Sequence, residues 1–262
     1  MTPHLVASTA LVFALISVSA NLSSETRGQG ILFVTTSVAE WNGGENGTYL
    51  MELAVPFDYF ARRGFDVDIV SPQGGEIPLY YKGELSDQLD GIRKSEDFLR
   101  ETSETLTPHE ASASDYAAVI IPGGYGQFVD VHKNEGIARL ITSIYENGGV
   151  IGTLGHGTAA LVNLKLKNGE YLVKGKTMTS FPSWNEKNLM EDSNFGKLLP
   201  FDMEEELQLR GANLKIYDQE AKTNYQIVDA DNRIVTASFA TGGEFVANEV
   251  YKLVQPAKTA SD

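Results

Sequence analysis

A short segment of the chain has the residue pattern of a catalytic elbow but carries no nucleophile. Residues 149–154 form an apolar run typical of a buried strand, Gly155-His156-Gly157 ends it, and residues 158–162 begin a predicted helix. In enzymes built on such a strand–turn–helix unit, the elbow residue is a Ser or Cys that a neighbouring histidine activates. Here the histidine is present, but Gly155 has no side chain. The segment therefore predicts a site whose helix-start N–H groups face a ligand and whose usual reactive atom is absent.

Alternating strand and helix patterns surround this elbow. Three short apolar runs are typical of buried parallel strands: residues 31–34, 67–70 and 117–121. Three segments have the apolar spacing of helices: residues 48–63, 136–146 and 244–254. Residues 225–238 contain two β-rich runs separated by polar residues, which predicts a hairpin. Strands that alternate with helices of this length indicate an α/β fold, with a mostly parallel central sheet and helices on both faces.

Two irregular segments interrupt this alternation. Residues 73–114 are polar and poor in β-branched apolar residues, which predicts a surface insertion with short helices. Residues 174–199 are similarly irregular, and we expect them to form a lid beside the elbow. Residues 203–206 are rich in glutamate and are typical of the exposed start of a helix, where acidic side chains suit the helix dipole.

Composition limits the classes of function. The chain has 262 residues, no cysteine, a hydrophobic fraction of 42% and a formal net charge of -14. This charge argues against nucleic acid or an anionic membrane as a partner, because both require basic patches. The lack of cysteine excludes disulfides, thiolate metal sites and cysteine nucleophiles. His109 and His132 have no ligand-type partner four residues away, so we predict no metal site and no cofactor.

The N-terminus has the pattern of a secretory signal peptide. Residues 5–18 are largely apolar, and small residues precede a cleavage position after Ala20. We therefore expect residues 1–20 to be removed, residues 21–262 to form a single domain, and the protein to be secreted or to enter the endomembrane lumen. A membrane anchor is the alternative, although the apolar stretch is short for a span of ~20 residues. The sequons at Asn21 and Asn46 would be glycosylated in a eukaryotic source.

Several segments together resemble the ThiJ/PfpI superfamily, which has the class I glutamine amidotransferase-like fold. They are residues 52–57, 64–72, 121–126, 148–151, 155–157, 159–161 and 174–176. Within the superfamily, the chain is most similar to the glyoxalase III branch, which includes heat-inducible chaperones. The resemblance extends from Ile31 to Tyr251. It implies a flavodoxin-like three-layer sandwich.

The resemblance also implies roles for individual residues. The family's elbow is Cys-His-Gly, so Gly155 stands at the position of the nucleophilic cysteine and His156 matches the family's histidine. Glu52 matches the acidic residue of the first helix that tunes the thiol. Glu186 is the candidate for a further acidic residue of the glyoxalase III branch, although the segment before it diverges. The resemblance thus implies catalytic roles for Glu52, His156 and Glu186.

Further positions are implied to bind the substrate. Backbone N–H groups of Gly124 or Tyr125 and of His156 match the donors that stabilise an oxyanion in the family. Gly155 would border the ligand, and Trp184 would line the pocket, with a packing or rim position as the alternative. The family's loop near the C-terminus has an Asn-Pro that residues 240–244 lack, which puts substrate positioning on that side in doubt.

Three interpretations of the elbow stay open at this point. The first is a secreted pseudoenzyme without cysteine-dependent glyoxalase activity that acts in binding, chaperone-like or stress-related roles. The second is a hydratase, lyase or isomerase that uses Glu52 and His156 for non-covalent acid–base chemistry in the volume that Gly155 leaves free. The third is that these residues only serve the fold. The expected partners are a small carbonyl-type ligand, unfolded-protein clients and a second copy in a homodimer.

Overall fold

A computed structural model describes residues 30–192 and 199–255 of the chain. The predicted signal peptide and the Asn21 sequon lie outside these residues, so secretion and endomembrane localisation stay predictions. No helix within the described ranges is long and apolar enough to cross a membrane.

The central sheet has six strands and is mostly parallel. The strands of the described residues are β1 (Gly30–Val34), β2 (Glu40–Trp41), β3 (Gly44–Glu45), β4 (Thr48–Tyr49), β5 (Val67–Val70), β6 (Leu79–Tyr80), β7 (Tyr116–Ile121), β8 (Val150–Leu154), β9 (Thr177–Met178), β10 (Asn213–Leu214), β11 (Gln226–Asp229) and β12 (Ile234–Ala237). The order in the sheet is β11-β12-β8-β7-β1-β5. Its neighbours are parallel except for β11 and β12, which pair as the predicted antiparallel hairpin. The predicted α/β class is confirmed.

Helices cover both faces of this sheet. They are α1 (Leu50–Ala61), α2 (Asp87–Arg93), α3 (Glu96–Ser103), α4 (Glu135–Glu146), α5 (Ser183–Asp192), α6 (Met203–Leu209) and α7 (Gly243–Val254). The three predicted long helices are confirmed as α1, α4 and α7. The first begins at Leu50 and not at Thr48, because Thr48 and Tyr49 pair with β6 as a short strand. The predicted short helices in residues 73–114 are α2 and α3.

The pleat of the strands divides the core into two layers. In β1, Ile31 and Phe33 pack with α1 and α7 on one face, whereas Leu32 and Val34 pack with α4 on the other. All four side chains are fully buried. Buried on both faces, the parallel strands are continuous apolar runs and do not alternate with polar residues. This rigid sheet fixes the positions of the loops at its carboxyl edge.

Candidate active site

The elbow lies where two neighbouring strands end at the carboxyl edge of the sheet. Strands β7 and β8 are parallel neighbours, so the loop after β7 and the elbow after β8 meet at this edge. Gly155 has φ +50 and opens a 3-10 helix over Gly155–Leu161. The helix predicted to begin at residues 158–162 is therefore a 3-10 helix, and it begins three residues earlier, at Gly155. A residue with a side chain costs about 1–2 kcal/mol in this left-handed region, so glycine suits the turn.

Glu52 reaches the elbow from the first turn of α1. It is buried, with 6% of its surface exposed, and its Oε2 accepts a hydrogen bond of 2.5 Å from the N–H of Gly123. Burial raises the pKa of this carboxyl group to about 7, against the opposing effects of the Gly123 bond and of His156. Near pH 7, both its acid and its base form are therefore populated.

The Glu52 carboxyl group also borders Gly155. A Cβ at residue 155 would lie 2.9 Å from Oε1 of Glu52 and 3.3 Å from its Oε2. These distances are shorter than ordinary van der Waals contacts. The volume that Gly155 was expected to leave free is therefore not all open to a ligand, because the Glu52 carboxyl group fills part of it.

His156 is held by a second buried glutamate. Its Nε2 lies 2.7 Å from Oε2 of Glu186, and the hydroxyl of Tyr125 donates to Oε1 of Glu186 at 3.0 Å. Burial raises the pKa of Glu186, but the charge and hydrogen bond of His156 and the hydrogen bond of Tyr125 outweigh it and lower that pKa overall. The imidazole packs on the rings of Phe181 at 4.3 Å and Tyr125 at 4.8 Å. Glu186 is thus an ionised partner that orients His156.

Glu52, His156 and Tyr125 line one cavity of about 300 Å³, here called the elbow cavity, whereas Gly155 and Glu186 are not among its lining residues. It is lined by Tyr49, Glu52, Tyr80, Lys82, Gly124, Tyr125, His156, Phe181, Asn185, Leu189, Phe239, Ala240 and Thr241. Four of the residues singled out from the sequence are in this set: Glu52, His156, Gly124 and Tyr125. Asn185 and Leu189 belong to α5, so part of the irregular segment predicted as a lid does border the site.

Trp184 is not in this set. Its indole N–H donates to the carbonyl of Tyr217 at 3.3 Å, and its ring packs on the Tyr217 ring at 6.2 Å. Its neighbours on α5, Asn185 and Glu186, face the cavity and the histidine, and successive helix residues point in different directions. The predicted place of Trp184 in the pocket lining is wrong.

Sequence reasoning missed the wall formed by Tyr49, Tyr80 and Lys82. Tyr49 belongs to β4 and pairs with Tyr80 of β6, from within the segment predicted as a surface insertion. The N–H of Tyr49 also donates to the carbonyl of Gly123 at 2.9 Å, which ties this wall to the loop that binds Glu52. Two-residue strands give no periodic signal, and only the tyrosines in a polar segment hinted at a buried surface.

Gly124 lets the loop after β7 approach this wall closely. It has φ +119, and a side chain there would collide with the carbonyl of Gly47. The preceding residue, Asn46, is only 3% exposed, and its Nδ2 is buried. A glycan on Asn46 has no room in this fold, so the predicted glycosylation of Asn46 conflicts with the structure.

Neither threonine beside the elbow replaces the missing nucleophile. The hydroxyls of Thr153 and Thr158 hydrogen-bond each other at 2.7 Å in the core beneath it. Among the described residues, no cluster of three or more His, Asp or Glu side chains could hold a metal ion.

Comparison with known proteins places the chain in a family. The sequence profile of the DJ-1/PfpI family matches residues 44–252. The chain belongs to the DJ-1/PfpI family. It is 32% identical over 160 residues to the glutathione-independent glyoxalase HSP31 of Saccharomyces cerevisiae, an alignment that covers 58% of this chain and 67% of that protein.

Solved structures agree with this fold. The Rapid Encystment Protein of 24 kDa (REP24) from Francisella tularensis is 27% identical and superposes with a TM-score of 0.76, over 87% of this chain and all (100%) of the other. Glyoxalase III of Candida albicans has the same fold, with a TM-score of 0.70 at 22% identity, over 86% of this chain and 97% of the other. The flavodoxin-like sandwich implied by the resemblance is confirmed.

Proposed function

We propose that the protein binds a small carbonyl compound in the elbow cavity and catalyses a non-covalent proton transfer on it. The observation that carries this proposal is the buried Glu52 carboxyl group, whose pKa of about 7 lets it take up and return a proton near neutral pH. It lines the cavity together with His156.

The reaction class that suits this arrangement is isomerisation through an enediolate. The Glu52 carboxylate removes the proton from the carbon next to an aldehyde, and the charge moves to the carbonyl oxygen. Backbone N–H groups of Gly124 or Tyr125 and of His156 would stabilise that oxygen, as the resemblance implies. Glu52 then returns the proton to the neighbouring carbon, and His156 moves a proton between the two oxygens. The hydroxyaldehyde becomes a hydroxyketone with no change in its atoms or electrons.

The thiol chemistry of a glyoxalase III is not part of this proposal. The chain has no cysteine, so no protein thiol can add to the aldehyde. Loss of a covalent nucleophile typically lowers the rate by several orders of magnitude, leaving only positioning and oxyanion effects. We therefore infer that glutathione-independent glyoxalase activity, named for the yeast relative, is absent here.

A binding protein without turnover is the second candidate. It is favoured by the Glu52 carboxyl group, which fills part of the space where a side chain at residue 155 would stand. Chaperone-like clients, a stress-related role and a homodimer rest on the family resemblance alone. Secretion rests on residues 1–20 alone.

Hydrogen–deuterium exchange at the carbon next to the carbonyl tests the proton transfer directly. Small hydroxyaldehydes are incubated with the protein in D₂O, and NMR follows the loss of the proton. We expect exchange that Glu52→Gln reduces about 10²–10⁴-fold, the usual contribution of a general base. The matched control Glu135→Gln alters a side chain that is 87% exposed on α4, and it should exchange at the wild-type rate.

Two outcomes would refute proton transfer by Glu52. One is the absence of exchange for all the aldehydes, in which case ligand binding measured by calorimetry would favour the second candidate. The other is equal exchange by the wild type and Glu52→Gln.

A further inference from the structure

The elbow cavity contains one cationic side chain that the proton transfer does not use. Within residues 30–192 and 199–255, Lys82 is the only lysine or arginine that lines the cavity. The ion pairs of the described residues join other lysines and arginines to carboxylates and do not include Lys82. Glu52 lines the same cavity, yet the two charges form no ion pair with each other. The ammonium group is therefore available to a ligand.

The backbone around Lys82 is fixed to the catalytic wall. Tyr80, two residues before it, pairs with Tyr49. The Tyr49 N–H donates to the carbonyl of Gly123, whose own N–H donates to Glu52. Strand pairing and hydrogen bonds thus connect the segment that carries Lys82 to Glu52.

Five aromatic side chains line the cavity together with these two charged groups. Tyr49, Tyr80, Tyr125, Phe181 and Phe239 line the cavity. Such walls favour a flat or apolar central part in the ligand, since aromatic faces bind apolar surface with little polar competition. The overall charge of the chain is -14, so most of its surface repels anions. Lys82 is exposed but lines the cavity, so it places a positive charge where a ligand anion can approach it.

We propose that the ligand of the elbow cavity carries a carboxylate, which Lys82 binds while the ligand's carbonyl group lies at Glu52 and His156. This inference rests on the proposed function and adds the substrate class, a carboxylate-bearing aldehyde or ketone with an apolar centre. One lysine suits a singly charged carboxylate, whereas a phosphate usually recruits several donors or an arginine fork.

Paired ligands that differ only in charge test this assignment. Calorimetry measures the binding of 4-carboxybenzaldehyde and of its near-isosteric neutral amide, 4-carbamoylbenzaldehyde. Neither has a proton on the carbon next to the aldehyde, so binding is measured without proton transfer. We expect the acid to bind about fivefold more tightly at low salt, as a partly exposed ion pair allows. Salt should reduce this ratio. A third ligand, 4-formylphenyl phosphate, tests for a phosphate site.

Two variants assign the preference to its residue. In Lys82→Gln, the ratio of the affinity for the acid to the affinity for the amide should be close to one. The control Lys167→Gln, at a lysine that is 80% exposed and does not line the cavity, should keep it. Thermal unfolding verifies that both variants fold.

The inference is overturned by equal binding of acid and amide, by a preference that survives Lys82→Gln, by tighter binding of the phosphate, or by no binding of any of the three. None of these results tests the proposed proton transfer, which the exchange assay measures separately. Conversely, a charge preference without exchange would support Lys82 and refute the role of Glu52.

Discussion

Two buried glutamates flank His156 and have opposite electrostatic environments. Glu52 and Glu186 are 6% and 7% exposed, respectively, so burial alone does not distinguish them. The Glu52 carboxylate accepts one backbone N–H, and its pKa rises to about 7. Glu186 is bound by both His156 and Tyr125, and its pKa is lowered. The number and charge of hydrogen-bond partners therefore decide which glutamate exchanges a proton and which one orients the histidine.

The largest expected effect is a difference in the pH dependence of stability. Glu52 binds a proton more tightly in the folded state than in the unfolded state. Its ionisation therefore destabilises the fold progressively as the pH rises from about 4.5 to about 7. Urea unfolding measures the free energy of unfolding of both proteins. Between these two pH values, the value for Glu52→Gln should increase relative to that of the wild type by about 3 kcal/mol, because one pKa unit corresponds to about 1.4 kcal/mol.

Glu186→Gln should show the opposite sign. The lowered pKa means that the Glu186 carboxylate stabilises the fold above its unfolded pKa of about 4.5, and that this contribution disappears as the pH falls through the folded pKa. The free energy of unfolding of the wild type should therefore exceed that of Glu186→Gln at neutral pH, and this difference should disappear in acid. If the stability of the two variants relative to the wild type had the same pH dependence, the two glutamates would not differ in their electrostatic environments.

A smaller effect is expected from a side chain at the elbow, which would contact Glu52. Gly155→Ala should destabilise the fold through its positive φ, which costs about 1–2 kcal/mol, and through the short contact with Oε1 of Glu52. Gly64→Ala is the matched control, since Gly64 has φ +77 and a Cβ there would meet nothing within 4 Å. Denaturant unfolding should show a larger decrease in the free energy of unfolding for Gly155→Ala than for Gly64→Ala. Equal losses would mean that the Glu52 carboxyl group does not occupy this space.

The smallest effect concerns the hydroxyl that supports Glu186. Tyr125→Phe removes the 3.0 Å hydrogen bond to Oε1 of Glu186. The loss of one such bond typically costs about 1 kcal/mol and should raise the pKa of Glu186 without moving that of Glu52. Proton-exchange rates at several pH values measure the consequence. A shift in the acidic limb of the rate profile near pH 7, which ionisation of Glu52 should control, would contradict the separation of the two roles.

The sequence predicted the parts of the site that lie on long, regular elements. The apolar run before Gly155 placed the elbow at the end of a sheet strand, and the apolar spacing of residues 48–63 predicted the helix that carries Glu52. The resemblance implied that Glu52 acts at the elbow. The resemblance added Glu186, and the structure brings it to His156. These predictions succeeded because strand order and helix packing are set by many apolar residues at once.

The remainder of the site depends on contacts that leave no local pattern. Lys82 reaches the cavity through the two-residue pairing of β4 and β6, within a segment that was predicted only as a surface insertion. Trp184 and Glu186 are two residues apart, and the direction of each side chain follows from the start of α5, which the irregular sequence did not reveal. The burial of Asn46 likewise follows from the close approach of Gly47 to Gly124.

The most direct test of the account is an NMR titration of the glutamate side-chain carboxyl carbons. We predict one resonance that titrates near pH 7, disappears in Glu52→Gln and persists in Glu186→Gln. The Glu186 resonance should stay that of an ionised carboxylate throughout the neutral range. If every glutamate carbon titrates below pH 5, Glu52 carries no exchangeable proton at neutral pH and the proposed proton transfer is contradicted.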